Sequence, residues 1–168
     1  MIQWQIFPKS QPPTSRFEEV IGCFEKVESM VSSDNRNLNS DQVLVVLRPH
    51  LEQIGFRVEA GRRKGQKIRV PVLFGRQGKW EKSFEVDAHN EKERVILEVE
   101  AGRAVDNYQF LKDLFEACMA QDVDHLVIAV RNIYGGNKDF EAVINYFETL
   151  YASGRMKLPL KAVLVIGY

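Results

Sequence analysis

The sequence predicts an α/β sandwich in which a mixed central β-sheet is flanked by helices. Three observations predict it. The continuous apolar runs "HLVIAVR" and "LKAVLVIGY" read as fully buried strands, each preceded by a helical pattern. Upstream of them, short strand-like segments alternate with polar turns as a meander does. The length of 168 residues, with 45% hydrophobic and 27% charged residues, suits one soluble domain with a sizeable core.

The elements follow in order. "PKSQPP" is expected to be irregular. "SRFEEVIGCFEKVESMV" spaces Phe17, Val20, Ile21, Phe24, Val27 and Val31 at helical intervals, with Ser15 as its cap. The polar break "SSDNRNLNS" separates this N-terminal segment and helix (1–38) from the core (39–168) of a single domain. Ser40 or Asp41 caps a second helix, "DQVLVVLRPHLEQI", which Pro49 should kink or restart and Gly55 closes. "FRVEA" and "QKIRVPVLFG" read as strands joined by the basic turn "GRRKG", and Pro71 hints at a bulge or an edge. After the turn "RQGKWEK", the segments "SFEVDAH" and "RVILEVEAG" form an antiparallel hairpin around "NEKE". A helix is expected from Asp106 to about Ala120, with Tyr108, Leu111, Phe115, Cys118 and Met119 on its apolar face. "FEAVINYFETLYAS", ended by Gly154, is the last helix.

Net charge is zero, yet its distribution is uneven. From Arg57 to Lys82 there are nine Lys or Arg against two Glu, a local +7; from Glu85 to Glu100 there are six acids against two bases, a local −4. A basic band beside an acidic centre suits a metal-dependent enzyme acting on a polyanion. Two solvated strand faces of opposite sign are the plain alternative. Cys23 and Cys118 lie far apart in apolar patterns and read as small core residues of a reducing compartment. No apolar stretch reaches the roughly 20 residues of a membrane span, and the start is unlike a signal peptide. A cytoplasmic protein is expected.

The acidic hairpin carries the chemistry. Glu98 and Glu100 point to one face of their strand, Leu97 and Val99 to the other. If the hairpin loop holds an even number of residues, Asp87 faces Glu98 or sits one pair away and the carboxylates converge on one face; an odd loop separates them. Like charges that close repel, by about 1–4 kcal/mol per contact at a surface site. Protonation or a divalent cation relieves that repulsion. Oxygen-only donors in this number suit Mg²⁺ or Mn²⁺, whereas His89, expected at the hairpin tip, suits neither.

Asp87, ten intervening residues, then Glu98-Val99-Glu100 resembles the PD-(D/E)XK nuclease motif in its D-x(n)-E-x-E form. The helix, three-strand meander, helix, strand order over residues 39–131 resembles the core of that superfamily, and "VILEVEAGRAVDNYQFLKDLF" resembles the active-site region of restriction endonucleases. Val86 stands where the motif has proline, and Glu100 where most members carry lysine. The resemblance implies a restriction-endonuclease-like sandwich and a Mg²⁺- or Mn²⁺-dependent nuclease cutting phosphodiesters, DNA before RNA. It further implies Asp87, Glu98 and the Val99 carbonyl as metal ligands, and Glu100 as the group that orients or deprotonates the attacking water. Asp41 or Glu52 would match the extra carboxylate of the preceding helix.

Arg103 and Lys112 lie beyond the motif where they could meet the scissile phosphate; Lys112 is more simply explained as a lysine snorkelling from a helix. Arg62, Arg63 and Lys64 in "GRRKGQK", with "FGRQGKW", could track a nucleic-acid backbone, Trp80 stacking on a base. A non-catalytic module of the same fold, binding nucleic acid or a protein, is the main rival, and a hydrolase of a small phosphate ester is the third reading. A homodimer is compatible with all three.

Overall fold

The two apolar runs do pair side by side. In the computed structural model, which describes residues 1–61 and 65–168, they form β7 (His125–Val130) and β8 (Ala162–Gly167), parallel with His125 opposite Ala162. On the other side of β7 lies β6 (Val95–Glu100), also parallel, which is why its residues are buried on both faces. The antiparallel strands β5 (Ala88–Asn90) and β2 (Arg57–Val58) extend the sheet beyond β6. The far edge is β1 (Gln3–Phe7), antiparallel to β8. The order is β1-β8-β7-β6-β5-β2, a mixed six-stranded sheet.

Helices cover both faces. Helix α1 (Ser15–Lys26), the single turn α2 (Glu28–Val31) and α3 (Ser40–Gln53) bury Phe17, Phe24, Leu47 and Leu51 against Leu97, Val99 and Leu164. On the opposite face α4 (Gln109–Met119) and α5 (Asp139–Ser153) bury Phe110, Leu114 and Phe147 against Ile96, Ile128 and Val165. Alternation along β6 therefore sends Glu98 and Glu100 toward the α4 side.

Several local expectations are corrected. Residues 3–7, which carry no strand signal of their own, pair with β8 because Ile6 and Phe7 are both apolar and bury on opposite faces. Thr14, not Ser15, caps α1 by accepting from the Phe17 amide. Asn39 caps α3 in a capping box with Gln42, and α3 runs through Pro49 without restarting. "SFEVDAH" is not one strand. It breaks at Asp87 into β4 (Trp80–Val86) and β5, and β4 pairs with β3 (Ile68–Phe74) as a separate two-stranded ribbon. The ribbon has a register shift after Pro71, where a proline was expected to disturb the ladder. Helix α4 begins at Gln109 and buries Phe110, Asp113, Leu114 and Ala117; Leu111, Phe115 and Tyr108 face solvent. Both cysteines are free. No helix among the described residues is long and apolar enough to cross a membrane.

Candidate active site

The hairpin loop of Glu91–Arg94 is even, and the register Ala88↔Leu97, His89↔Ile96, Asn90↔Val95 follows. One step further along, Asp87 stands opposite Glu98. The break at Asp87 has a local cause. Its amide donates to Glu98 Oε2 at 3.3 Å, and its own Oδ2 accepts from the Val99 amide at 2.8 Å. The two carboxylates thus replace ladder bonds between the strands, and both are drawn out of solvent.

Helix α4 adds Asp113, 4% exposed, which accepts from Gln109 at 3.2 Å through Oδ1, while its Oδ2 is buried without a partner. Glu100 lines the same cleft, where the Asp113 charge raises its proton affinity. The Glu100 peptide is pinned from two sides: Tyr168 Oη donates to its carbonyl at 3.3 Å, and the next amide, Ala101, donates to Ser40 Oγ at 3.3 Å. Across the mouth, the buried Glu59 accepts from Lys67 Nζ at 2.7 Å. A cleft of about 260 Å³ results, lined by six carboxylates (Glu59, Glu85, Asp87, Glu98, Glu100, Asp113) against two lysines, Lys67 and Lys112.

Burial and mutual repulsion leave this cluster short of positive charge. Burial pushes the Asp87 carboxyl up to about 7, the bonded Val99 amide opposing and the Glu59 and Asp113 charges adding to it. Burial, then Asp87 and Asp113, hold Glu98 well above the usual carboxylate range. Glu100 rises to about 8 by burial, by the charges of Asp113 and Asp87, and by its bond to Asp113. Asp113 rises to about 6, burial outweighing Lys112 and Gln109. The cluster therefore retains protons at neutral pH that ordinary carboxyl groups have lost.

A stability consequence follows. Folded values above the unfolded ones mean that the folded state holds extra protons, so stability falls as pH rises. His89 and His125, depressed mainly by burial, act in the opposite sense only below their ordinary value of 6.5. Between about pH 6.5 and 8 the metal-free protein should lose melting temperature steadily, as Asp87 and Glu100 ionise through about 7 and about 8. Thermal melts in a chelator at four pH values check this, and Glu100→Gln should flatten the slope.

Of the residues expected at the site, Asp87, Glu98, Val99, Glu100 and Lys112 line the cleft. Lys112 is largely exposed and ion-paired to Glu116 at 3.3 Å, so it both snorkels and reaches the rim. Arg103 lines a neighbouring cleft with Asp41 and Glu100 rather than this one. Glu52 is exposed on α3, and the helix-borne carboxylate of the cleft is Asp113 of α4 instead. His89 is buried in β5, not at a tip. Arg62, Arg63 and Lys64 lie outside the described residues.

Asp113, Glu59, Lys67 and Gln109 were not anticipated. For Asp113 a signal existed: Phe110, Asp113, Leu114 and Ala117 form an i, i+3, i+4, i+7 stripe with one acid in it. For Lys67, continuing the Ile68↔Val86 pairing by one step places it opposite Asp87.

The donor set is all oxygen, and it fits a hard divalent cation in chemistry. Among the described residues no three His, Cys, Asp or Glu side chains already surround one ligation point. Asp87 and Glu98 are instead turned onto the Val99 and Asp87 amides, each leaving one carboxylate oxygen free of those bonds.

No family model and no curated protein matches the chain. Among solved structures it is similar to free BglII, with a TM-score of 0.52 and 11% identity over 99% of this chain and 78% of that one. The mixed sheet, with its helices on both faces, is thus a restriction-endonuclease-like fold.

Proposed function

We propose that the protein is a divalent-metal-dependent nuclease that hydrolyses phosphodiester bonds in DNA. The observation that carries this reading is the charge deficit of the cleft: four buried or half-buried carboxylates from β5–β6 and α4, facing two lysines at its mouth. Asp87, Glu98 and the Val99 carbonyl would hold Mg²⁺ or Mn²⁺. The ion supplies charge neutralisation and a more acidic bound water when present. Glu100, once ionised, orients the attacking water and takes its proton, with Asp113 beside it in the cleft. Lys112 and Lys67 meet the phosphate at the rim, where the motif's usual lysine is replaced by Glu100; Arg103 is close enough in sequence to act from the neighbouring cleft.

A second reading is favoured by the absence of a ready three-ligand point among the described residues and by Glu100 itself. It makes the chain a non-catalytic nucleic-acid-binding module. One experiment separates the two. Plasmid and single-stranded DNA, with RNA as control, are incubated with the protein in millimolar Mn²⁺ or in chelator, and melting curves are recorded in both. The nuclease reading expects metal-dependent cleavage of DNA. It also expects a melting shift of about 5–10 °C at a hundredfold excess over the dissociation constant, from about 2.7 kcal/mol of linkage. An unchanged melting curve with intact DNA would leave the binding module.

A further inference from the structure

The β3–β4 ribbon is a separate two-stranded sheet, held at its root and extending past the core. Its inner face begins with Ile68, Val70 and Val86, all buried against α4 and the main sheet. At the root, the Gln121 amide donates to the Pro71 carbonyl at 2.9 Å. Beyond the register shift after Pro71 the ribbon carries apolar residues that nothing among the described residues covers. Phe74 and Trp80 are register partners, 51% and 55% exposed, and Leu73 beside them is 56% exposed. Burying two large aromatic rings is favourable by kilocalories, so an exposed cross-strand pair has no folding rationale of its own.

The charges around that pair select what covers it. The tip turn carries Arg76 and Lys79, and Lys82 follows on β4 with its ammonium 5.5 Å from the Phe84 ring centre. None of the three makes an ion pair among the described residues. Glu81, beside Gly75, is the acid nearest them and lines the groove next to Lys82. The groove between ribbon and α4, about 430 Å³, is lined by Arg69, Lys82 and Lys112 and by Glu81, Glu85 and Glu116, and shares Glu85 and Lys112 with the acidic cleft. A partner lying along the ribbon therefore meets aromatic faces with the unpaired Arg76 and Lys79 at the tip, Lys82 on the shaft and the carboxylate cluster at the root. A polyanion carrying flat apolar rings at regular spacing matches this sequence of surfaces.

We propose that the β3–β4 ribbon is a nucleic-acid arm whose tip seats the Phe74–Trp80 pair against nucleobases while Arg76, Lys79 and Lys82 follow the phosphates. This rests on the nucleic-acid substrate of the preceding section and adds the element that grips it. Base–aromatic contacts tolerate any sequence, so the arm contributes affinity and positioning rather than sequence readout.

The chain has two tryptophans, and Trp4 lies on β1 at the far edge of the sheet. Trp4→Phe thus leaves Trp80 as sole reporter. Titrated in chelator with single-stranded and duplex oligonucleotides, this protein should show Trp80 fluorescence quenched at saturation. Phe74→Ala and Trp80→Ala, followed by anisotropy of a labelled oligonucleotide, should each weaken binding about 5–150-fold with the salt slope unchanged. The triple variant Arg76→Ala, Lys79→Ala, Lys82→Ala should make the slope shallower by about 2–3. All five positions are exposed, so melting curves should match the parent and show that folding is intact. Parental affinity in both aromatic variants overturns the arm while metal-dependent cleavage still upholds the nuclease. Loss of all nucleic-acid binding by the parent protein overturns both. Quenching of Trp80 with protein concentration alone, without oligonucleotide, assigns the aromatic pair to self-association and overturns the arm as well.

Discussion

Asp87→Asn and Glu98→Gln are each expected to lower metal-dependent cleavage by at least about 10³-fold while raising the melting temperature of the metal-free protein. The first effect follows from the size of a metal's contribution. Several kilocalories of charge stabilisation correspond to about three powers of ten in rate. The second follows from where these carboxylates sit. Both are removed from water and face one another, and both have their proton affinity raised first by burial. An amide of the same shape removes the charge. It also keeps an oxygen to accept from the Val99 amide in one case and from the Asp87 amide in the other. The gain should be largest near pH 8, where the parent is most ionised, and small at pH 5. The Mn²⁺ shift in melting temperature should disappear in both variants. A residue kept only for folding behaves otherwise: its replacement lowers stability and leaves the metal response alone. Finding Asp87→Asn less stable than the parent in chelator at pH 8 would remove the metal-ligand assignment.

The parts of this architecture that were readable beforehand share a physical basis. Strands buried on both faces leave unbroken apolar runs, and residues 125–130 and 162–167 carry them. The parity rule of a hairpin needs only an even loop, and it put Asp87 and Glu98 on one face; the loop lies at 91–94, one residue beyond "NEKE", and this sets them directly opposite although the outer strand is broken at Asp87. What stayed hidden depends on contacts remote in sequence. Residues 3–7 have no strand signal stronger than a loop's until β8 offers an edge to pair with. Asp113 was concealed by a helix whose exposed face is as apolar as its buried one: Leu111 and Phe115 mimic a core stripe, and the acid lies in the true one. Periodicity cannot separate two apolar faces of one helix. Here the rule that a buried acid needs a partner would have done so, because three other carboxylates were already assigned to that side of the sheet. Glu59 and Lys67 join the cleft from opposite ends of the loop between β2 and β3, and no local pattern pairs them.

Glu100→Gln is the sharper test of chemistry as distinct from metal binding. Glu100 holds a proton at neutral pH because burial and the Asp113 and Asp87 charges disfavour its ionised form. A divalent cation on Asp87 and Glu98 would offset the nearest of those charges, lower the proton affinity of Glu100 and free its oxygen to accept a proton from water. Gln has nearly the same volume and can donate to Asp113 as a protonated acid would, so packing survives. It cannot take a proton. Cleavage should therefore fall by about 10²–10⁴-fold, the usual worth of a general base. The Mn²⁺-induced melting shift should remain, in contrast to Asp87→Asn and Glu98→Gln. The pH–rate profile discriminates further: the parent's rate should rise with pH as Glu100 ionises, and the residual rate of Glu100→Gln should lack that rise. Asp113→Asn gives the reciprocal result. It removes the charge that raises Glu100, so the rising limb of its profile should move to lower pH while metal binding persists. Full parental cleavage by Glu100→Gln, with the same pH profile, would take the proton from Glu100 and leave the water to be activated by the metal alone.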